Sequence, residues 1–217
     1  MRGLILVALF ALVAVPPASA KRLRFSVSVE GAVQLSWVHE TTYRSGGCEV
    51  SSAESGSESV EFRSTRPSIV TAIASGRRVR SLAATLASLT GPVAGGGGVT
   101  TQTCGLTVHA DLACGSGPFE GAIRLTRAEP GRLRLAELTG EGLPDPRCIP
   151  QALAPPEFPP LSRALGRLDE RKLLNPRVKT FSVTGRDDGV VRLAAEGETG
   201  SLSRHVSWKL TFRRLGR

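Results

Sequence analysis

Apolar and polar residues alternate along much of the chain. Residues 23–29 place Leu, Phe and two Val on one face and Arg and two Ser on the other. The cleanest example is 206–212, where Val, Trp, Leu and Phe alternate with Ser, Lys and Thr. A period of two residues is typical of a β-strand that buries one face. Shorter runs of the same kind predict further strands, at 33–37, 59–64, 119–127 and 132–138.

Turn signals and polar stretches separate these runs. Glycine-containing dipeptides at 30–31, 130–131 and 188–189 predict turns between antiparallel strands. The Ser-, Gly- and Glu-rich stretch at 44–59 predicts an exposed connection. Four consecutive glycines at 95–98 predict a flexible connection, because glycine loses the most conformational freedom in a regular element.

Two segments raise the question of helix. Residues 78–89 fit helical and strand spacing alike, and the strands predicted on either side favour strand. Residues 161–174 predict the single short helix, because Leu161, Leu165 and Leu168 lie at helical spacing and Pro176 follows. Between them lies a proline-rich passage, 143–160, which we expect to cross the outside of the domain as a loop.

These elements predict an all-β fold. Short strands at regular spacing, joined by turn signals, are typical of antiparallel sheets packed face to face. We therefore expect residues 21–217 to form one antiparallel β-sandwich or jelly-roll-like domain with one short helix, stabilised by disulfides. The strand order and the oligomeric state do not follow from the pattern.

The first twenty residues indicate the cellular location of the protein. Arg2 precedes an apolar run that ends before a pair of prolines, and the small residues Ala18 to Ala20 follow. This order is typical of a cleaved secretory signal peptide, here residues 1–20. The run is short for a membrane-spanning helix. We expect a secreted or extracytoplasmic protein with no integral membrane segment after cleavage.

Four cysteines in an exported chain predict two disulfides. The cysteines are Cys48, Cys104, Cys114 and Cys148. A straight strand would hold Cys104 and Cys114 about 33 Å apart, whereas a disulfide needs Cα atoms within about 7 Å. Either the chain folds back near 109–111 and these two pair, leaving Cys48 with Cys148, or each pairs with Cys48 or Cys148. The local pairing is the preferred prediction.

The charge balance adds a candidate binding surface. The chain carries 28 Lys and Arg against 19 Asp and Glu, a formal net charge of +9. Several basic residues lie at polar positions of predicted strands and would share an outer face: Arg22, Arg24, Arg124, Arg132, Arg134, Lys209 and Arg213, with Arg192 at a similar position. Arginine suits bidentate contacts with phosphate and carboxylate. These residues are the predicted anion-binding site.

No pattern predicts catalytic chemistry. The three histidines, His39, His109 and His205, lack the close spacing of a metal site, so neither a metal nor a cofactor is expected. Ser116 lies between two glycines but not in the G-x-S-x-G motif of a hydrolase nucleophile. No catalytic residue is therefore assigned.

The sequence thus favours an exported, non-enzymatic binding or envelope-associated protein that contacts an anionic polymer through a basic sheet face. Its expected partner is an anionic envelope polymer or another extracellular protein, and nucleic acid is not expected. The alternatives are a secreted hydrolase with an unrecognised active site and a module that binds other proteins.

Overall fold

The computed structural model describes residues 20–143 and 146–216, and the predicted signal peptide lies outside them apart from Ala20. The described residues form ten strands, two 3₁₀ turns and one short α-helix. The strands are β1 Lys21–Ser45, β2 Cys48–Ser64, β3 Ser68–Ser75, β4 Arg78–Thr103, β5 Leu106–Leu112, β6 Ser116–Glu129, β7 Arg132–Glu141, β8 Leu165–Arg167, β9 Thr180–Ala195 and β10 Glu198–Arg214. The 3₁₀ turns are Pro146–Cys148 and Leu161–Arg163, and helix α1 is Glu170–Leu174. The predicted all-β, antiparallel class is confirmed.

The sheet closes on itself. Its neighbours run β10-β9-β8-β7-β6-β4-β2-β1, and β1 also pairs with β10 along residues 25–41. Strand β3 bridges the start of β1 and the start of β4. Strand β5 pairs with the last third of β4. The closure is narrowest between β8 and β9, which share the single pair Gly166 and Gly185.

The two ends of the closed sheet differ in their connections. The β3–β4 turn, the β6–β7 turn and helix α1 meet at one end, which we call the basic end after the arginines described below. The β1–β2, β4–β5 and β9–β10 turns lie at the other end, which we call the tip. The tip is held by the Thr42 amide, which donates to the Gly197 carbonyl at 2.7 Å.

The interior of the sheet holds one hydrophobic core, to which every long strand contributes. Phe25, Phe181 and Phe212 pack together near the basic end, with the last two rings stacked at 4.9 Å between centroids. The guanidinium of Arg214 lies 5.0 Å from the centre of the Phe25 ring and closes this end of the core. Aromatic pairs of this kind contribute about 0.5–1.5 kcal/mol beyond the area that they bury.

Strand β1 runs straight through 30–31, so the hairpin predicted there is wrong. Gly31 serves packing and not a turn. A Cβ at this position would lie 2.5 Å from the Phe62 ring and 2.6 Å from the Ser207 carbonyl oxygen. The strands on both sides thus approach β1 closely at the point where glycine was taken as a turn signal.

Three further stretches predicted as connections are strands. Residues 48–59 lie in β2, residues 95–98 lie in β4, and the two pair with each other. Residues 188–189 lie within β9, and the chain turns later, at Gly197, where φ is +71°. The neighbouring strands satisfy the backbone hydrogen bonds of these polar segments, which their composition does not reveal. By contrast, the strand favoured at 78–89 is confirmed.

The helix predicted over 161–174 is present only at Glu170–Leu174, so the first part of that prediction is wrong. Leu161, Ala164 and Leu168 are buried, but they do not share a helical face. Leu161 begins a 3₁₀ turn, and the chain from Ala164 to Leu168 is extended or irregular. Two tertiary contacts keep this part extended. Residues 165–167 pair with β7, and the Ala164 carbonyl accepts a hydrogen bond from Trp208. Asp169 then caps the short helix.

The disulfides connect Cys48 with Cys104 and Cys114 with Cys148, so the preferred local pairing is wrong. The Cα atoms lie 5.4 and 5.5 Å apart, within disulfide range. Cys48 and Cys104 are brought together because β2 and β4 pair up to Val50 and Thr103. The chain folds back at 104–105, where both residues have positive φ, and not at 109–111.

The second disulfide fastens the proline-rich segment. Cys148 binds this segment to the buried Cys114, and Ile149 and Leu153 enter the core beside it. Of the helices within residues 20–143 and 146–216, none has the length and apolarity needed to cross a bilayer.

Candidate functional site

A cleft of about 1030 Å³ lies at the basic end. Its walls are the β3–β4 turn, the β6–β7 turn, β8 and the start of helix α1. Five of the residues that line it are arginines, and we call this set the basic cleft: Arg77, Arg78, Arg132, Arg167 and Arg171. All five are exposed. Three separate stretches of sequence, near 76–78, 130–132 and 165–171, thus converge on one cationic site.

The floor of the cleft is organised by Glu170. One carboxylate oxygen accepts from the guanidinium of Arg127 at 3.1 Å and from the Gly131 amide at 3.3 Å. The other accepts from the Val79 amide at 3.0 Å. The Glu170 and Arg127 side chains are each less than a fifth exposed. Glu170 therefore joins β4, β6, the β6–β7 turn and helix α1.

The second acid in the cleft is also committed to the fold. Asp169 is the N-cap of helix α1, and its Oδ1 accepts from the Arg171 amide at 3.0 Å and the Lys172 amide at 3.4 Å. A capping carboxylate of this kind satisfies amides that have no partner within the helix. Neither acid therefore forms a hydrogen bond with the guanidinium group of any of the five arginines.

Two arginines of the cleft face each other. Arg132 on β7 lies directly opposite Arg167 on β8. Side chains in this relationship have Cβ atoms about 4.5–5.5 Å apart, and like charges placed so are destabilising. Arg132 reaches Glu129 at 3.4 Å, an exposed contact of little strength. Arg167 forms no ion pair with the described residues. An anion bound between these two guanidinium groups would relieve their repulsion.

The predicted anion-binding residues fall into two groups. Arg124, Arg132 and Arg134 lie on β6 and β7, and of these only Arg132 lines the basic cleft. Arg134 is one outward position further along β7, and Arg124 is held by Glu137 at 2.9 Å.

The other group lies across β1 and β10. Arg213 is opposite Ser26, which makes it a diagonal neighbour of Arg24, and Arg22 is two residues before Arg24. Lys209 is paired with Glu30 at 3.0 Å.

The other four arginines of the cleft were missed by the sequence analysis. Arg167 and Arg171 lie in the segment predicted as a helix, and Arg77 and Arg78 lie at a turn, so strand parity could not place them. One signal was available. The adjacent pair at 77–78 follows Gly76, and consecutive cations at a turn project into solvent together.

A separate set of titratable side chains lies near the tip, on the inward faces of the strands. His39 Nε2 lies 2.8 Å from Glu198 Oε1, and Glu54 is opposite His39 on β2. Burial raises the pKa of Glu54, although His39 and the indole of Trp37 act in the opposite direction. These side chains are half-buried, and His39 interacts with both glutamates of the set.

A shallow groove of about 780 Å³ crosses the outer face of β10, β1, β2 and β4. Small residues line most of it, four of them serines, and His205 lies in its wall. The Nδ1 atom of His205 hydrogen-bonds Asp188, which also accepts from Arg186 at 2.8 Å. These two hydrogen bonds lower the pKa of Asp188. Glu58 also lines the groove but is almost fully buried.

Glu58, Cys114 and Cys148 are the one group within the described ranges whose potential metal ligands converge within 4.8 Å. Both sulfur atoms belong to a single disulfide, so neither offers the thiolate that binds a metal. This group is therefore part of the fold.

No protein-family model, curated protein or solved structure matches the chain. The candidate residues are therefore assigned from their geometry and chemistry alone.

Proposed function

We propose that the protein is exported and binds an anionic polymer of the cell envelope through the basic cleft. The observation that carries this proposal is the pair Arg132 and Arg167, which face each other across β7 and β8. Three further arginines line the same cleft, while its two acids are engaged in the fold. The signal-peptide pattern and the two disulfides support export.

The chemistry of the cleft favours phosphate or carboxylate groups. Guanidinium groups donate paired hydrogen bonds to such anions, and they stay charged at all physiological pH values. A polymer that repeats these groups would bind to the cleft and then continue along Arg134 on β7. Because the cleft is open to solvent, its attraction for the polymer should weaken as salt screens the charges.

Co-sedimentation of residues 21–217 with purified envelope tests the proposal. The protein is expected to bind the envelope at low salt and to be released at high salt. An added anionic component of the envelope should compete for this binding. Binding that survives high salt would contradict a largely electrostatic contact. Absence of binding at either salt concentration would remove the proposed function.

Charge reversal locates the contact. The variant Arg167→Glu should lose most of the binding, and Arg132→Glu combined with Arg134→Glu should lose it as well. Arg192→Glu is the matched control, since Arg192 is an exposed arginine of β9 in the half of the strand towards the tip. Circular dichroism verifies the fold of each variant. Equal loss of binding in the control variant would mean that net charge, and not the cleft, binds the polymer.

A hydrolase is the second candidate, and the contact between His205 and Asp188 favours it. A carboxylate on Nδ1 orients an imidazole for general-base catalysis, and the serine-lined groove lies beside it. Turnover of simple ester substrates that is abolished in His205→Ala and retained in His109→Ala would support this candidate. Absence of turnover in the unmodified protein would count against it.

A further inference from the structure

Strand β5 is an open edge of the sheet. Its residues pair with β4 along 97–103, and no other strand of the described residues pairs with it. Leu106 and Val108 are 73% and 63% exposed. The backbone groups on the outer side of β5 are therefore available to another strand.

This edge lacks the features by which proteins block unwanted pairing. Charged residues, prolines and bulges normally protect an edge. Strand β5 carries one acid, Asp111, and has no proline and no lysine or arginine. The far half of β9 is a second edge, since it pairs with β10 alone, but it carries Arg186, Asp187, Asp188 and Arg192. Of these two edges, β5 carries fewer charged residues, one against four.

The sequence of β5 is complementary to itself. When a second β5 is placed antiparallel with His109 opposite His109, Leu106 faces Leu112 and Val108 faces Ala110. On the other face, Thr107 lies opposite Asp111, where its hydroxyl can donate to the carboxylate. We propose that β5 is the interface at which a second copy of this chain binds, by antiparallel pairing about His109.

The pairing has a structural consequence. It joins two sheets into one through a two-fold contact, in which the same residues serve both partners. Because the two β5 strands run in opposite directions, the basic ends point away from each other. The proposal stands independently of polymer binding, since β5 shares no residue with the basic cleft.

The mass in solution tests the proposal directly. Light scattering after size-exclusion chromatography of residues 21–217, across the micromolar range, is expected to give twice the chain mass. Val108→Lys, which places a cation on the apolar face of β5, should give the monomer mass. Val190→Lys is the matched control, an exposed valine on the charged β9 edge, and should remain a dimer. A monomeric unmodified protein, or dissociation in the control variant alone, would overturn the proposal.

Cysteine cross-linking tests the register. Residues directly opposite in an antiparallel ladder have Cα atoms about 4.5–5.5 Å apart, which permits a disulfide. His109→Cys should therefore form a covalent dimer on mild oxidation. Thr107→Cys should not, because the two copies of position 107 would lie about 14 Å apart along the strands. A cross-link in the second variant, or its absence in the first, would overturn the proposed register.

Discussion

The indole nitrogen of Trp208 donates a hydrogen bond to the carbonyl oxygen of Ala164 at 3.0 Å, inside the core. This contact lies at the narrowest part of the closed sheet. Gly166 and Gly185, the single pair that joins β8 to β9, both face the indole ring. The absence of side chains at these two positions gives the ring its space. The indole ring of Trp208 therefore packs over the single residue pair that connects β8 and β9.

Gly185→Ala should destabilise the protein. A Cβ at this position would lie 2.3 Å from Cε2 of Trp208, so the ring would have to move and give up its hydrogen bond. Overpacking of a core costs about 1–3 kcal/mol, and a buried donor left without its acceptor adds to it. Urea unfolding and the near-ultraviolet circular dichroism of the tryptophans would measure both effects.

The matched control for this variant is Gly98→Ala on β4. A Cβ there would lie 3.6 Å from the Ala110 carbonyl oxygen, an ordinary contact. Its free energy of unfolding should stay equal to that of the unmodified protein or rise slightly, since alanine loses less freedom on folding. Equal destabilisation by both changes would contradict the special role of Gly185.

The contact between Trp208 and Ala164 also shows where sequence reasoning stops. Spacing alone made Leu161, Leu165 and Leu168 a helical stripe, but residues 165–167 form a strand because β7 lies beside them. Helical spacing of apolar residues is only a local signal, and here tertiary pairing overrides it. Strand alternation was more reliable: Trp37 and Trp208 lie on the apolar faces of the strands predicted at 33–37 and 206–212, and they are 2% and 3% exposed.

Glycine and serine caused the other differences. Gly31 and residues 95–98 were taken as signals for turns or flexible chain, although all of them lie in strands. At Gly31, Gly95 and Gly97 a neighbour approaches closely. A sequence shows that a residue is small, but not what occupies the space beside it. The cleft could not be predicted either. Its arginines lie far apart in the sequence, and they meet only because the strands of the closed sheet pair in one particular order.

Removal of the Glu170 carboxylate should lower the free energy of unfolding more than removal of an exposed carboxylate does. Glu170→Ala leaves Nη2 of Arg127 and the amides of Val79 and Gly131 without their acceptor in a largely buried setting. Nη1 of Arg127 still donates to the Val79 carbonyl. A loss of about 2–3 kcal/mol in the free energy of unfolding is expected. Glu137→Ala, which breaks an exposed pair with Arg124, should cost less than about 1 kcal/mol. Urea titrations of the two variants that gave equal losses would contradict the role of Glu170.

Glu54 should make the stability depend on pH in a defined direction. Its pKa is raised from 4.5 in the folded protein, chiefly by burial, so the folded state keeps the proton to higher pH than the unfolded chain does. Stability attributable to this group is therefore lost as the pH rises from 4.5 through the folded pKa, and is constant above it.

Glu54→Gln should remove that loss. The variant is expected to be more stable than the unmodified protein at pH 7, by less than about 1 kcal/mol because the site is partly solvated, and the difference should vanish well below pH 4.5. Thermal unfolding across this pH range measures it. Glu49→Gln, an exposed glutamate on the same strand, controls for the loss of one charge. A destabilised Glu54→Gln at pH 7 would contradict the assigned cause.

The two disulfides should differ in their effect on local structure. They close sequence separations of 56 and 34 residues, and chain entropy alone makes their contributions nearly equal, at about 4 kcal/mol each. Their surroundings are unequal. Cys48 and Cys104 join strands that a long ladder already pairs. Cys148, by contrast, holds a proline-rich segment that forms no strand pairing between residues 146 and 160.

Replacing Cys114 and Cys148 by alanine should therefore release this segment. Hydrogen exchange should speed up across 146–160, where Ile149 and Leu153 are buried in the intact protein. Replacing Cys48 and Cys104 should lower the unfolding temperature about as much as replacing Cys114 and Cys148 does. It should leave hydrogen exchange in 146–160 unchanged, because the Cys48–Cys104 disulfide lies at the tip end of the β2–β4 ladder. Equal exchange profiles in the two variants would show that Ile149 and Leu153 hold the segment without the Cys114–Cys148 bond.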